Sequence, residues 1–270
     1  MPFASSFISF VIIFFIALLG LALGSFASVL SYREARGLSW FSVMGRGKSA
    51  VLTGGRSACP ECKKALRAVD LIPVFSWLYL RGHCRYCNSP IPFSYPLLEL
   101  ASMVLCVLAY IAIGPQPAAF ILIAAVPFLL ALIVIDLEAM ILPDRLMAVL
   151  AALGLLKLGF LAHEAGGDVT LHYLLSAILY GGFAWALGRF MAFALKKDAL
   201  GMGDVKFFAL VGLWLGLAAL PAFCVVSGLV GVIFAAGWRV MHKGAGAFPF
   251  GPALIASFYI MVVFGEYHFW

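Results

Sequence analysis

Residues 117–136 read PAAFILIAAVPFLLALIVID, an uncharged apolar run that closes on Asp136. A helix rises about 1.5 Å per residue and needs about 20 residues to cross roughly 30 Å of hydrocarbon, so this run has the length of a membrane span. Working outward, seven more such runs cover approximately 7–31, 94–113, 143–162, 170–194, 204–220, 221–240 and 248–265. The pattern predicts an all-α polytopic membrane protein with about eight transmembrane helices. The sixth and seventh runs are divided at Leu220-Pro221, because proline ends one helix and can begin the next. Ser5 and Ser6 precede the first run without a basic segment, and no small-residue cleavage site follows it, so it reads as a retained helix and not a signal peptide. Composition agrees: of 270 residues 64% are hydrophobic and 11% charged, with a mean hydropathy of +1.08. A soluble domain carries roughly 25% charged residues. The sequence therefore excludes a soluble globular fold, and the net charge of +6 does not point to nucleic acid.

The basic residues set the expected topology. Ten of the 18 Lys and Arg residues lie in residues 32–93, between the first two runs, which predicts a cytoplasmic insertion there. Arg145, Lys196, Lys197, Lys206, Arg239 and Lys243 fall in or beside connections on that same side, whereas 114–116 and 163–169 contain no Lys or Arg. Eight spans with both termini outside satisfy this pattern. The expected division is a first helix over 1–31, the insertion over 32–93 and a seven-helix domain over 94–270. Gly37 to Arg56 contains Gly45-Arg-Gly-Lys48, Gly47-Lys48-Ser49 and Gly54-Gly55-Arg56, but no complete phosphate-loop pattern and no preceding strand. It reads as a flexible basic loop near anionic headgroups, and Arg189 reads as a snorkelling residue near Lys196 and Lys197.

The insertion carries Cys59-Pro-Glu-Cys62 and, after 21 intervening residues, Cys84-Arg-Tyr-Cys87. Two Cys-x2-Cys knuckles at this separation fit tetrahedral zinc held by four thiolates, a closed structural site. Two disulfides are the alternative, against which the reducing cytosol weighs. His83 reads as a solvated loop residue, and Cys106 and Cys224 as packing residues within apolar runs.

Acids at the ends of membrane runs mark candidate function, because ionisable groups there are costly. Asp136 ends the third run, and Asp204 opens the sixth in Gly201-Met202-Gly203-Asp204-Val205-Lys206. Brought together, two carboxylates share a proton, so the pair supplies a base for water and an acid for a leaving amine. Gly201 and Gly203 permit close backbone approach, as an extended peptide requires. The plain alternative is that each aspartate marks a helix end at the interface.

Three motifs, Gly201-x-Gly203-Asp204-x-Lys206, Asp136-Leu-Glu-Ala-Met-Ile-Leu-Pro143-Asp144 and Asp70-Leu-Ile-Pro-Val-Phe-Ser-Trp77, resemble those of the bacterial type IV prepilin peptidase family of GxGD-type intramembrane aspartic proteases. Gly24-Ser25-Phe26, Tyr95-Pro-Leu-Leu-Glu99 and Phe250-Gly251-Pro252 extend the resemblance over nearly the whole chain. It implies an inner-membrane enzyme, with its site facing the cytoplasm, that cuts the basic leader from type IV prepilins or pseudopilins. The same resemblance implies N-methylation of the new terminus with S-adenosylmethionine. Asp136 and Asp204 then take the catalytic positions, and Cys59, Cys62, Cys84 and Cys87 the zinc positions. Glu138 and Asp144 would contact substrate, orient Asp136 or face the interface. Glu99 would serve methyl transfer or packing, and Lys206 would act on Asp204, hold substrate or snorkel. Ala27-Ser28 departs from the family, which has a larger apolar residue and Asn there. A peptidase without methylation and a proton-coupled transporter are the rival readings; the transporter calls for acids spread through the bilayer depth.

Overall fold

The computed structural model describes residues 2–38, 40, 57–165, 168–196, 200–241 and 248–265. Most of the basic loop ending at Arg56, with Lys48, and the connections holding Lys197 and Lys243 lie outside the described residues. The helices are α1 (Pro2–Glu34), α2 (Phe75–Tyr79), α3 (Ser94–Ile113), α4 (Pro117–Ala139), α5 (Asp144–Ala165), α6 (Asp168–Leu195), α7 (Met202–Leu215), α8 (Leu220–Met241) and α9 (Gly251–Phe264). Among the described residues six stretches are long and apolar enough to cross a membrane, in α1, α3, α4, α5, α6 and Leu217–Met241 containing α8. The protein is a multi-pass all-α membrane protein. Two of the eight expected spans, α7 and α9, have only 14 residues each.

The break between α7 and α8 comes earlier than Leu220-Pro221. Helix α7 stops at Leu215, and Gly216 adopts φ +76° while its N–H donates to the Gly212 carbonyl at 3.0 Å. A residue with a Cβ would be strained in that conformation, so glycine sets the stop. Pro221 lies in the first turn of α8, where its missing N–H costs little.

The chain forms two compact units, Met1–Val107 and Leu108–Trp270. In the first, α1 and α3 approach so closely that a Cβ added at Gly24 would lie 2.5 Å from the Glu99 Cα, and one at Gly20 2.7 Å from the Met103 Cα. Small residues permit this contact, and close packing is what joins helices in lipid. Glu99 is buried, and its Oε2 accepts the Val74 N–H at 2.7 Å, tying the insertion to α3.

In the second unit α4 is central: most of its residues are buried within the protein, whereas most of those of α6 are not. Helices α5 and α9 pack on α4, α7 packs on both of these, and α6 lies along α7. Pro127 sits inside α4 and removes one backbone donor, a loss that tightly packed membrane helices tolerate. Phe258 of α9 receives Phe207 and Trp214 of α7 edge-on, at 5.9 and 5.5 Å between ring centroids. At the C-terminal end of α7 the buried Lys157 donates to the Trp214 carbonyl at 2.5 Å, and the Tyr180 hydroxyl donates to the Gly216 carbonyl at 3.0 Å.

Replacing Gly24 with Leu should destabilise the protein by about 1–3 kcal/mol or more, because backbone stands where the side chain must go. Gly159, which has nothing within 4 Å of an added Cβ, should accept Leu with a change within about 0.5 kcal/mol. Thermal unfolding in detergent compares the two.

Candidate active site and metal centre

Helix α4 carries Asp136 at its last full turn, and the Asp136 carbonyl accepts the N–H of Met140, which closes the helix at φ 54°. The side chain is buried, and its Oδ2 accepts the Gly251 N–H at 2.9 Å. Gly251 is the first residue of α9, followed by Pro252, so an unpaired amide of a helix start is satisfied by the carboxylate. A Cβ at Gly251 would lie 2.6 Å from that same oxygen. Glycine is required because the acid occupies the space a side chain would take.

Asp204 sits in the first turn of α7 and is half-buried; its Oδ2 accepts the Gly201 N–H at 3.3 Å. This is one half of a capping box, the carboxylate reaching back to the residue before the helix. Asp136 and Asp204 are carried on helix ends that meet at one side chain. Leu142, buried in the short link between α4 and α5, lies between their supports. Its Cβ is 3.2 Å from a Cβ built at Gly203, and its Cδ2 is 3.2 Å from one built at Gly251. Three helix ends and one leucine thus bring together the two acids that the sequence separates by 68 positions (204 − 136).

The other motif residues take different places. Glu138 and Asp144 are exposed. Lys206 points to Asp144 and not to Asp204, donating to both Asp144 oxygens at 2.7 and 2.9 Å. Residues two apart on a helix face different directions, which separates Lys206 from its neighbour acid. His83 is exposed, with Nδ1 2.7 Å from the Arg81 carbonyl. Arg189 is exposed, Cys106 is fully buried, and Cys224 is partly buried.

The cysteines of the insertion form two equivalent knuckles. In the first, Cys59 N–H donates to Lys64 O (3.0 Å) and Lys63 N–H to Cys59 O (3.0 Å); in the second, Cys84 N–H donates to Ser89 O (2.8 Å) and Asn88 N–H to Cys84 O (2.9 Å). Lys63 and Asn88, each following the second cysteine of its pair, have φ 59° and 58°. The four thiols are free, and their sulfurs lie within 4.8 Å of one another, an arrangement able to hold a metal ion. Ser89 bonds to the Cys87 thiol at 3.1 Å and pushes it down to about 6, toward the thiolate a metal requires. Arg85 pairs with the Asp70 carboxylate at 2.6 Å, joining the second knuckle to the 3-10 turn Ala68–Leu71; the Asp70 side chain is only 3% exposed.

Gly251 and Leu142 lie inside the quoted motifs Phe250-Gly251-Pro252 and Asp136 to Asp144 without an assigned role, and nothing local in the sequence marks them as partners of the aspartates. Lys157 did carry a signal, a lone charge inside an apolar run.

Residues 18–113 match the bacterial peptidase A24 N-terminal domain, and residues 123–236 match the type IV leader peptidase family. The first contains all four insertion cysteines and the second both aspartates. A prepilin leader peptidase/N-methyltransferase of Aeromonas hydrophila is 33% identical, covering 92% of this chain and 89% of its own. One from Pectobacterium carotovorum subsp. carotovorum is 36% identical over 88% of each chain. A type 4 prepilin-like proteins leader peptide-processing enzyme of Escherichia coli is 33% identical over 91% of this chain and 93% of its own. The chain belongs to the type IV leader peptidase family. No solved structure gives a significant match.

Burial pushes the Asp70 carboxyl up, but the Arg85 guanidinium and the Arg67 N–H outweigh it and hold the group below the usual carboxylate range. A lowered folded-state value means that this stabilisation is present above the unfolded value of about 3.9 and is lost as pH falls through the folded one. At neutral pH an Asp70→Asn variant should therefore expose its cysteine quartet faster than the parent to a pyridyl disulfide reagent. The difference should shrink as pH falls below about 4.

Proposed function

We propose that this protein cleaves the basic leader of type IV prepilins or pseudopilins at the cytoplasmic face of the inner membrane, with Asp136 and Asp204 as its catalytic pair. It then N-methylates the new terminus, with S-adenosylmethionine as methyl donor. The observation that carries the peptidase reading is the convergence of the two acids around Leu142, each with one oxygen engaged by a backbone N–H. Engaging one oxygen orients each carboxylate and leaves the other for chemistry. One aspartate, ionised, takes a proton from water as the hydroxyl oxygen bonds to the scissile carbonyl carbon. The other, protonated, gives its proton to the amide nitrogen as the carbon–nitrogen bond breaks. The amides of Gly251 and Gly201 hold the pair in place through the exchange. Methylation rests on the relatives' names, the two-aspartate chemistry on the site itself.

The acids outside the pair suit a basic leader. Glu138 and Asp144 are exposed next to the site, and Lys206 neutralises Asp144 until a leader lysine or arginine competes for it. The insertion, residues 32–93, is a zinc module. Four ligands at about 2.3 Å from a common centre imply sulfur separations of about 3.8 Å. Cys59 and Cys87 stand 3.8 Å apart. Four thiolates would leave no open position, so the metal would support the fold and not the hydrolysis.

Asp136→Asn and Asp204→Asn should each lower cleavage of a prepilin peptide by about 10²- to 10⁴-fold, while methylation of a peptide already lacking its leader persists. Purified protein, a prepilin peptide and labelled S-adenosylmethionine allow leader loss and methyl incorporation to be followed separately. Cleavage within about tenfold of the parent in either variant would remove the two-aspartate mechanism. Gly251→Ala should also slow cleavage, since its methyl group displaces the Asp136 oxygen that its N–H holds.

A further inference from the structure

The 3-10 turn and helix α2 of the insertion present an apolar ridge that, among the described residues, no protein element covers. Phe75 is 63% exposed, Leu78 59% and Tyr79 79%, and they stand at i, i+3 and i+4 on one helical face. Val69, Leu71 and Ile72 extend the exposed surface at the preceding turn. On a water-soluble module so dense a cluster of large apolar side chains marks a contact surface.

Two observations choose its partner. The first is depth. Val74, next to Phe75 in sequence, donates its N–H to the carboxylate of Glu99, which lies in the second turn of the membrane helix α3. This bond sets the start of α2 at the level of that turn, roughly 8 Å from the start of a helix just long enough to span the hydrocarbon. The second is continuity with the lipid-facing surface. Phe93 and Tyr95 at the start of α3 are exposed, as are Leu97, Leu100 and Val104 further along it. Trp77 packs edge-on against Phe93 at 5.6 Å and donates its indole N–H to the Ile91 carbonyl at 3.1 Å, joining the ridge to that surface. Trp and Tyr at this depth form the aromatic belt of a membrane protein, and the exposed Arg67 and Arg81 beside the ridge suit anionic headgroups.

We infer that the ridge of Phe75, Leu78 and Tyr79 is a lipid-binding surface, lying in the headgroup and upper acyl region of the bilayer beside α3. The insertion is thereby a monotopic module seated on the membrane by its own apolar face, in addition to its covalent attachment through α1 and α3. The bond to Glu99 would keep the ridge from lifting off.

The test places the photoreactive residue p-benzoylphenylalanine at Phe75 or at Leu78 in the full-length protein. The protein is reconstituted in nanodiscs of phosphatidylethanolamine and phosphatidylglycerol, irradiated, and read by intact mass. A mass increase of one phospholipid is expected at both positions, at several times the yield obtained with the same residue at Glu61 or Asn88, on the knuckles. Protection of the cysteine quartet from a thiol reagent reports folding of each variant, and Tyr79 serves as the replacement site if one fails. Lipid adducts no more abundant at 75 and 78 than at 61 and 88 would overturn the inference. So would adducts that pass from lipid to an added prepilin peptide, which would make the ridge a substrate dock.

Discussion

The amide of Gly251 on the carboxylate of Asp136 is the interaction around which the second unit is organised. A carboxylate near the C-terminal end of a helix faces the negative end of that helix's dipole, an unfavourable place for charge. Meeting the N-terminus of α9 offsets this, since unpaired amides and the positive dipole end favour an anion. The same contact requires a residue without a side chain at Gly251, sets the end of α9 against the end of α4, and leaves room for Leu142. Asp204 obtains a similar amide from Gly201 within its own helix. One acid is thus held by tertiary packing and the other by local capping. The geometry of the pair depends on where α9 docks.

Much of this was legible in the chain. The run 94–113 coincides with α3, and the others fall on helices to within a few residues, because apolar length is a strong signal that does not depend on neighbours. Cys-x2-Cys spacing likewise encodes a local knuckle, so the quartet could be read before its fold was seen. The stop at Gly216 was harder: a proline and a glycine compete as punctuation, and the proline served as a start and not an end. The bond between Gly251 and Asp136 spans 115 positions and leaves no periodic trace. Lys206 lies two residues from Asp204 and invited pairing with it, yet helical geometry sends the side chain to Asp144.

Glu99 illustrates how a buried acid can be satisfied by a backbone N–H from another segment. Its carboxylate receives a backbone N–H from the insertion, while the adjacent Gly24 lets α1 reach the α3 backbone. A carboxylate buried without such partners would be expensive, so the bond couples the position of the insertion to the packing of the first two membrane helices.

Helix α7 is held at both of its ends. Its 14 residues rise about 21 Å, short of the roughly 30 Å of a bilayer core, so its final carbonyls need partners within the protein. Lys157 and Tyr180 provide them at Trp214 and Gly216, while Gly203 abuts Leu142 at the other end. The helix works as a strut of fixed length. Adding or deleting one residue would shift one end by about 1.5 Å and turn it by about 100°, carrying Asp204 away from its partner. From Phe207 to Leu215 every residue but Ala209 is buried, so neighbours enclose the helix along its length while the separation of its two moorings sets that length.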